Sequence, residues 1–360
     1  MVLCFKCEPT TKRKLEALVS TGAYTDLSEA ICAAIENLVL LTAEVDRNGI
    51  LAVGTGADAP TALKKPRQPA TGDSGAQELQ LLNLNGLGQQ PKVFATLPGD
   101  VFFPGQEVPV DRWIFGQFSK LLPAKASVRA LANLQLSSTN GLELDRVATR
   151  VAQVAETLGR NLVARDLNSG LGRDESWAVG FPSGDQKADR SRLRYANQFV
   201  AAIGKQGTLT GLLVDLKFIN LNRSGSKHIL LTRPGWDLAM LPNPVLDGRD
   251  GEAKFSAEEV QFLLDHVRTN VPVEDFAFRT ILGAIKQGED TPDLLDRVCS
   301  QHVPKKRKAE ISPALITTQR TGVVSRLADL GLLVRRREGV RVSYVITDLG
   351  LQYFSTSVAA

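Results

Sequence analysis

The chain has 360 residues, of which 43% are hydrophobic, and its 43 basic and 39 acidic side chains leave a net charge of only +4. This length and composition are typical of a globular protein with two or three domains. The bulk charge is too small to indicate a nucleic-acid partner, so local basic clusters must carry any such argument. No apolar run reaches the roughly 18 residues of a membrane span. The first residues also lack the apolar core of a secretion signal, which predicts a cytoplasmic protein.

The first 43 residues are patterned as one short strand followed by two amphipathic helices. Apolar and outward positions alternate over residues 2–8, as in a strand, and Pro9 ends the alternation. The second helix carries apolar residues at helical spacing: Ala30, Ile31, Ala34, Ile35, Leu38 and Leu41. So small a unit cannot bury an adequate core alone, and its single strand has two unpaired edges. We therefore expect it to form a homodimer through residues 2–43.

With Gly22-x-Tyr24 and the run 28–31 (Ser-Glu-Ala-Ile), this segment resembles the ribbon-helix-helix family. The resemblance implies that two chains form an antiparallel ribbon that enters the major groove of DNA. The outward ribbon residues, here Val2, Cys4 and Lys6, would read bases, and Ser28 would lie at a phosphate-binding helix start. Lys6 is the one strong hydrogen-bond donor among the three ribbon positions. A dimerisation module that does not read DNA is the alternative.

Cys4 and Cys7 have the spacing of half a zinc site. A structural zinc site needs four ligands, usually from a second pair of similar spacing. The remaining cysteines, Cys32 and Cys299, form no such pair, and the three histidines form none either. Four scattered cysteines also make no disulfide framework. The sequence therefore predicts neither a metal site nor a cofactor.

Three further regions follow the N-terminal unit of residues 1–45. Residues 46–90 are rich in Gly, Pro, Ala, Thr and Ser, which predicts a flexible linker. Residues 91–245 form a predicted middle helical domain, with helices at about 144–164 and 188–203. Residues 246–360 form a predicted C-terminal domain that begins with helices at about 256–267 and 275–286.

Two segments, residues 213–235 and 327–350, repeat one pattern. Each contains a Leu-rich run with an Asp, two strand-like stretches around a Gly-bearing turn, and a Thr three residues before a Gly. Each copy predicts the end of a helix, a two-stranded hairpin, and a helix capped by Thr. The order resembles the winged-helix family, closely at residues 313–354 and less closely at about 188–240.

The winged-helix resemblance implies a helix that reads base edges in the major groove and a hairpin that grips phosphate. In the C-terminal copy, it assigns DNA contacts on a helix at about 318–329 to Thr318, Gln319, Arg320, Ser325 and Arg326. It assigns hairpin contacts there to Arg335, Arg336, Arg337 and Arg341. In the middle copy, it assigns DNA contacts to Lys205, Gln206 and Thr208 on a helix and to Arg223 and Lys227 in a hairpin.

The predicted fold class is mainly α with short β strands (α+β): a ribbon-helix-helix unit followed by tandem winged-helix modules. None of the three histidines lies in a nucleophile, metal or phosphate motif, so we predict a protein that is not an enzyme. The predicted function is sequence-specific binding of double-stranded DNA by a dimeric, nucleoid-associated transcriptional regulator. Two alternatives stay open. One is a plasmid or phage replication or partition protein, and the other is an adaptor whose winged helices bind protein.

Overall fold

A computed structural model describes residues 74–360, apart from residues 87, 89, 139–140, 170–175, 183–187, 205–206, 223–226, 249–252, 306–310 and 357–360. The predicted ribbon-helix-helix unit lies outside the described residues. So do its dimer interface, the Cys4/Cys7 pair, and its proposed DNA contacts Val2, Cys4, Lys6 and Ser28. Helix and strand bounds below refer to the described part of the chain.

The end of the predicted linker is a packed segment, which corrects that prediction for residues 74–86. Helix α1 (Ser74–Leu79) is followed by two 3-10 turns, Gln80–Leu82 and Leu84–Gly86. Leu82 is buried, and its carbonyl accepts a hydrogen bond from the Arg129 guanidinium at 3.1 Å. The four leucines of residues 79–84 supply apolar surface that the Gly- and Pro-rich stretch before them lacks.

The first repeat extends from residue 122 to residue 240. Its elements, in order, are α2 (Leu122–Leu136), β1 (Leu142–Glu143), α3 (Leu144–Asn168), α4 (Ala188–Tyr195), a π turn (Ala196–Val200), β2 (Ala202–Ile203), β3 (Leu209–Thr210), α5 (Leu212–Asp215), β4 (Ile219–Leu221), β5 (His228–Leu231) and α6 (Arg233–Met240). The predicted helix at 144–164 is confirmed as α3. Its apolar stripe, which includes Val147, Val151, Val154 and Leu158, is buried. The predicted helix at 188–203 ends earlier, in the π turn.

A connecting helix and the second repeat complete the chain. The connector is α7 (Ala257–Asn270), which begins with a reciprocal capping box between Ser256 and Glu259. The second repeat contains α8 (Pro272–Lys286), α9 (Pro292–Gln301), α10 (Pro313–Asp329), β6 (Leu333–Glu338), β7 (Arg341–Ile346) and α11 (Asp348–Ser355). The described residues are thus mainly helical with short antiparallel strands, as the α+β prediction states. Residues 70–360 form one compact unit, and one hydrophobic core runs through both repeats.

The two repeats share their strand connections as well as their helices. In the first repeat, β5 lies between β1 and β4 in a three-stranded antiparallel sheet. In the second repeat, β7 pairs with β6, and on its other side the Tyr344 N–H donates to the Asp290 carbonyl at 2.9 Å. Asp290 lies between the first two helices of its repeat, as β1 does in the other copy. Both repeats also begin with a helix of 15 residues, α2 and α8.

The end of the helix before each hairpin has the same backbone geometry in both copies. Lys217 and Gly331 occupy this position, with φ angles of +58° and +71°. The N–H of the next residue bonds to the carbonyl five residues before it, over 2.8 Å in the first repeat and 2.9 Å in the second. Glycine adopts positive φ without strain, whereas lysine does so rarely. Lys217 is held there with its ammonium paired to Asp100.

The repeated Thr-x-x-Gly pattern has a physical cause. The hydroxyls of Thr232 and Thr347 accept the N–H of Gly235 and Gly350, at 3.2 and 3.1 Å, and so cap α6 and α11. Each hydroxyl also donates to the carbonyl of the positive-φ residue of its own repeat, at 2.7 Å in both copies. A Cβ on either glycine would lie 2.1 Å from a backbone oxygen. Only glycine fits there, so the predicted capping arrangement is confirmed in both copies.

A buried ion pair joins α2 of the first repeat to the connector α7. The Lys125 ammonium lies 2.8 Å from a Glu259 carboxylate oxygen, and both side chains are fully buried. The ammonium also donates to the Leu238 and Leu241 carbonyls at 2.6 and 2.7 Å. Burial lowers the pKa of Lys125 to about 8, against the attraction of Glu259. At neutral pH the ammonium is therefore charged and has three oxygen neighbours, which fixes α2 against α7.

Candidate nucleic-acid interface

The C-terminal hairpin carries the densest set of exposed basic side chains in the second repeat. Strands β6 and β7 pair from Leu333 with Ile346 out to Glu338 with Arg341, leaving Gly339 and Val340 as a two-residue turn. Gly339 has a φ of +62°, the conformation required at the first turn position of this kind of tight hairpin. Val340 at the tip is 98% exposed. The hairpin is therefore a narrow ribbon of two strands that extends into solvent.

The four hairpin arginines lie on two faces of this ribbon. Arg335 is opposite Tyr344, and Arg337 is opposite Val342. Because Tyr344 is buried, this face of the ribbon packs against the core at the end nearest the helices. Arg336 is opposite Ser343, and Arg341 is opposite Glu338, on the other face. All four arginines are exposed. The sequence run suggests one patch, but strand alternation divides it into two pairs.

Helix α10 precedes the hairpin and begins at Pro313, five residues before the predicted start. The Ser312 side chain accepts the Leu315 N–H and caps the helix. The buried face of α10 contains polar side chains as well as apolar ones. This face includes three of the side chains that the sequence assigns to DNA, and the structure corrects each of them.

Arg326 is fully buried and belongs to the protein interior. Its Nε and Nη2 donate to the two Glu274 carboxylate oxygens at 2.5 and 3.0 Å, and its Nη1 donates to the Phe118 carbonyl at 2.8 Å. Glu274 is itself fully buried in α8. This two-point contact joins α10 to α8 and leaves the guanidinium no access to a ligand.

Gln319 and Arg320 are also held inside. The Gln319 amide donates to the Val110 and Trp113 carbonyls at 3.2 Å, and its oxygen accepts the Gly116 N–H at 2.5 Å. Arg320 donates to Asp296 of α9 at 2.9 Å. Burial opposes the charge of Arg320, but the hydrogen bond and ion pair with Asp296 outweigh it and raise the pKa of the guanidinium. In this arrangement neither side chain is available to DNA.

A close backbone contact explains why this face of α10 is covered. Gly322 lies against Gly116, and a Cβ built on Gly322 would come within 2.4 Å of the Gly116 Cα. Two glycines at the same point allow the segment before α2 to lie directly on α10. The predicted recognition helix is therefore covered along the side that carries Gln319 and Arg326.

The outward face of α10 is small, polar and uncharged. It consists of Thr317, Thr318, Thr321, Ser325 and Ala328, which are exposed or half-buried. The Thr318 hydroxyl donates to the Ala314 carbonyl at 2.8 Å, and the Thr317 hydroxyl donates to Asp296. The sequence reasoning included Thr318 and Ser325 but missed Thr321. Its spacing of four residues from both Thr317 and Ser325 was the available signal.

The middle copy lacks the predicted helix around residue 208. Thr208 is exposed and immediately precedes β3, which pairs with β2, so the helical assignment is wrong there. Gly207 and Gly211, with φ angles of +74° and +134°, are incompatible with a continuous helix. Lys227 is exposed at the start of β5. Lys205, Gln206 and Arg223 lie outside the described residues.

Metal-binding and thiol chemistry have little support in the described part of the chain. There, no group of three or more His, Cys, Asp and Glu side chains is placed to hold a metal ion. Cys299 is buried, and burial raises the pKa of its thiol to about 12, so it is not a reactive thiolate. Among the same residues, no helix combines the length and the apolar character needed to cross a membrane.

Comparison with known proteins gives no relative on which to base a function. No family model matches the chain, and neither a curated protein nor a solved structure matches it significantly. The candidate interface consists of an exposed arginine hairpin beside a helix with a neutral polar outer face.

Proposed function

We propose that the protein binds double-stranded DNA through α10 and the β6–β7 hairpin and acts as a transcriptional regulator. The observation that carries this proposal is the adjacency of the two elements. Helix α10 leads directly into a two-stranded hairpin with four exposed arginines. A helix fits the major groove, and exposed arginines beside it can neutralise phosphates.

The element order of the second repeat supports a winged-helix arrangement. Its order is helix, bridging residue Asp290, helix, helix, hairpin and Thr-capped helix. The first repeat shares the bridging strand, the hairpin and the Thr-capped helix, but β2 and β3 interrupt it, and only the four residues of α5 stand where α10 ends in the second repeat. We therefore assign DNA contact to the second repeat and a supporting role to the first. The proposed N-terminal dimer would bring two such units to one DNA molecule.

The outer face of α10 and the hairpin have different proposed tasks. Thr318, Thr321 and Ser325 can hydrogen-bond to base edges or contact thymine methyl groups, and their small size allows close approach. They add no positive charge. The hairpin arginines supply positive charge, but they lie on the hairpin beside α10 and not on the helix proposed to enter the groove. Base preference is thus assigned to the helix and salt-dependent affinity to the hairpin.

Salt titrations of DNA binding test this division. In the variant with Arg336→Ala and Arg341→Ala, the slope of log affinity against log salt should fall by about 0.9 for each phosphate that the hairpin no longer neutralises. Thr321→Val, which removes a hydroxyl and keeps the shape, should reduce discrimination between specific and unrelated duplexes. A good base contact contributes roughly 1–3 kcal/mol of discrimination. The Thr321 variant should keep the wild-type slope.

A variant with the same loss of charge outside the second repeat serves as control. Arg146 on α3 and Arg190 on α4 are both exposed, and changing both to Ala removes two positive charges. If this control lowers the slope as much as the hairpin variant does, the effect is one of net charge and not of the hairpin. A folded hairpin variant with the wild-type slope would refute DNA contact by the hairpin and favour the protein-binding adaptor. Sequencing of bound DNA then identifies the target.

A further inference from the structure

A cleft in the first repeat has the features of a small-molecule site. It measures about 410 Å³ and lies between the turn at residues 177–182, helix α4 with its π turn, and residues 117–119. Ligand sites in proteins span about 300–1,000 Å³. Its lining includes Gln117, Ser119, Phe181, Arg194, Gln198 and Phe199. The proposed DNA contacts do not use it.

Stacked aromatic rings form one wall of the cleft. Tyr195 lies between Phe181 and Phe199, with ring centroids at 6.2 and 5.0 Å and interplanar angles of 20° and 18°. The Tyr195 hydroxyl donates to the Pro123 carbonyl at 3.0 Å and lies 3.0 Å from the Ser127 hydroxyl. These hydrogen bonds fix the central ring. Tyr195 and Phe199 are buried, so the half-buried Phe181 is the ring of this rigid stack that a planar ligand can reach.

Among the described lining residues, Arg194 is the one charged side chain. Arg194 is exposed, and no hydrogen bond or ion pair joins it to another described residue. Arg192, on the same helix, instead pairs with Glu156 and Asp189. None of the described lining residues is acidic, and the other polar groups are amides and hydroxyls. A ligand with a negative charge is therefore favoured.

The helical wall of the cleft contains a π turn. Over residues 196–200 the helix widens, and the Ala201 N–H donates to the Ala196 carbonyl, five residues back, at 3.0 Å. Residues 194, 195, 198 and 199, on one face of the helix and its π turn, all line the cleft. π turns are rare and are frequent at functional sites.

The wall formed by residues 116–121 is shared with helix α10. Gln117 and Ser119 line the cleft. The residues between and after them contact α10: the Phe118 carbonyl accepts from Arg326 at 2.8 Å, and the Leu121 N–H donates to Asp329 at 3.1 Å. A ligand that moves residues 117–119 would therefore also move the support of α10.

We infer that this cleft binds a small organic anion with a planar apolar ring, and that its occupancy changes DNA binding by α10. The ring would stack against the aromatic wall, and its anionic group would pair with Arg194. The regulatory part of the inference rests on the proposed DNA binding, whereas the ligand site itself does not.

Two fluorescent probes that differ in one charge test the site on the full chain. They are 8-anilinonaphthalene-1-sulfonate, an aromatic anion, and N-phenyl-1-naphthylamine, which has the same ring system without the sulfonate. The anion should bind saturably, and Arg194→Gln should weaken it on the order of tenfold, the loss of a charge-assisted contact. The neutral probe should bind the wild type and this variant equally. Arg190→Gln, on the same helix but outside the lining, is the matched control.

A blocking variant excludes binding elsewhere. Val179 lines the cleft and is 37% exposed, so Val179→Trp should fill the cleft without burying a large side chain in the core. Both probes should then lose their binding. Persistent binding to this variant, or equal anion affinity in the two arginine variants, would overturn the inference. The same holds if Arg194→Gln weakens DNA binding while probe binding is unchanged, because Arg194 would then be a phosphate contact.

DNA binding provides the second readout. Saturating sulfonate probe should change the DNA affinity of the wild type and leave that of the Val179→Trp variant unchanged. If the probe binds as described but DNA affinity is unaffected, the regulatory link fails and the ligand site stands. If the wild type binds no DNA, the proposed function fails, whereas the probe result still decides the site.

Discussion

Replacing Arg326 with Met tests whether this side chain stabilises the protein interior or contacts DNA. The variant keeps the apolar length of the side chain but removes the guanidinium, so the buried Glu274 carboxylate loses both of its hydrogen bonds to it. Breaking a buried ion pair on one side costs about 3–5 kcal/mol, because an uncompensated charge stays in the interior. Domains are stable by only about 5–15 kcal/mol, so this loss is large.

The expected change in melting temperature follows from that free energy. At about 2–4 °C per kcal/mol for a domain of this size, Arg326→Met should lower the melting temperature by roughly 6–20 °C. Tryptophan fluorescence is a suitable signal because the three tryptophans of the chain, Trp113, Trp177 and Trp236, all belong to the unit of residues 70–360. Urea titration with the same signal gives the free energy of unfolding.

A second substitution, at the ion-pair partner Glu274, makes the test specific. Adding Glu274→Gln to Arg326→Met removes the stranded charge, so the double variant should recover a large part of the lost stability. Arg336→Ala, on the exposed hairpin, should change stability by no more than about 0.5 kcal/mol. If Arg326→Met melted like the wild type but failed to bind DNA, the guanidinium would have to contact DNA and the interior assignment would be refuted.

Three further predictions concern other parts of the molecule. Lys125→Met should destabilise the fold by about 3–5 kcal/mol in urea titrations, because it strands the Glu259 carboxylate, and adding Glu259→Gln should recover part of this. Burial lowers the pKa of His266 from 6.5, so below about pH 6.5 the unfolded chain binds a proton that the folded chain does not. The contribution of His266 to stability should therefore fall as the pH drops through 6.5, and it is measured as the difference between the wild type and His266→Gln. The difference is needed because burial raises the pKa of Asp215 to about 7, which changes stability in the opposite direction over the same range. Light scattering should show a dimer for the full chain and a monomer for a chain that starts at residue 46; a monomeric full chain at micromolar concentration would refute the dimer.

The pH prediction has a local structural basis. The His266 ring lies between Phe218 and Phe262, at centroid distances of 4.7 and 5.9 Å. Its Nε2 donates to the Leu216 carbonyl at 2.8 Å, and its Nδ1 lies 3.2 Å from the Asn270 amide nitrogen, which can donate to it. This pattern suits the neutral ring. A protonated ring would place two donors face to face, so identical stability profiles for the wild type and His266→Gln between pH 5 and pH 7 would contradict the assignment.

Features that depend on neighbouring residues were predicted well from the sequence. The two Thr-capped helices and the two hairpins follow from turn residues and alternation within about 25 positions, and the structure contains them at the expected places. Helix α3 follows from a stripe with a spacing of three and four residues. Such patterns are visible in one sequence because both partners of each contact lie close together in it.

Features that depend on distant residues were not predicted. A polar residue on a helix is expected to face solvent, and that expectation placed Gln319 and Arg326 at DNA. Their partners are the backbone of residues 110–118, more than 200 positions away, and Glu274, 52 positions away. No local pattern announces such pairing. The predicted helix around Thr208 is wrong for another reason. It rests on analogy with the C-terminal copy, although Gly207 and Gly211 in the sequence already argue against a continuous helix.

The two faces of α10 also limit how the proposed interface can work. Its polar inner face is used to hold the helix on α8 and on residues 110–118, so the arginines of this helix cannot serve as phosphate contacts. Its outer face, with Thr321 and Ser325, is neutral and gives little affinity for DNA without a charged neighbour.

In the proposed interface, affinity for DNA must therefore come from the hairpin, and from the N-terminal unit if that unit binds DNA. Because strand alternation divides the hairpin arginines between two faces, a single groove wall can meet only one pair directly. Comparing Arg335/Arg337 with Arg336/Arg341 substitutions in the salt titration thus shows which face of the hairpin is turned towards the phosphates.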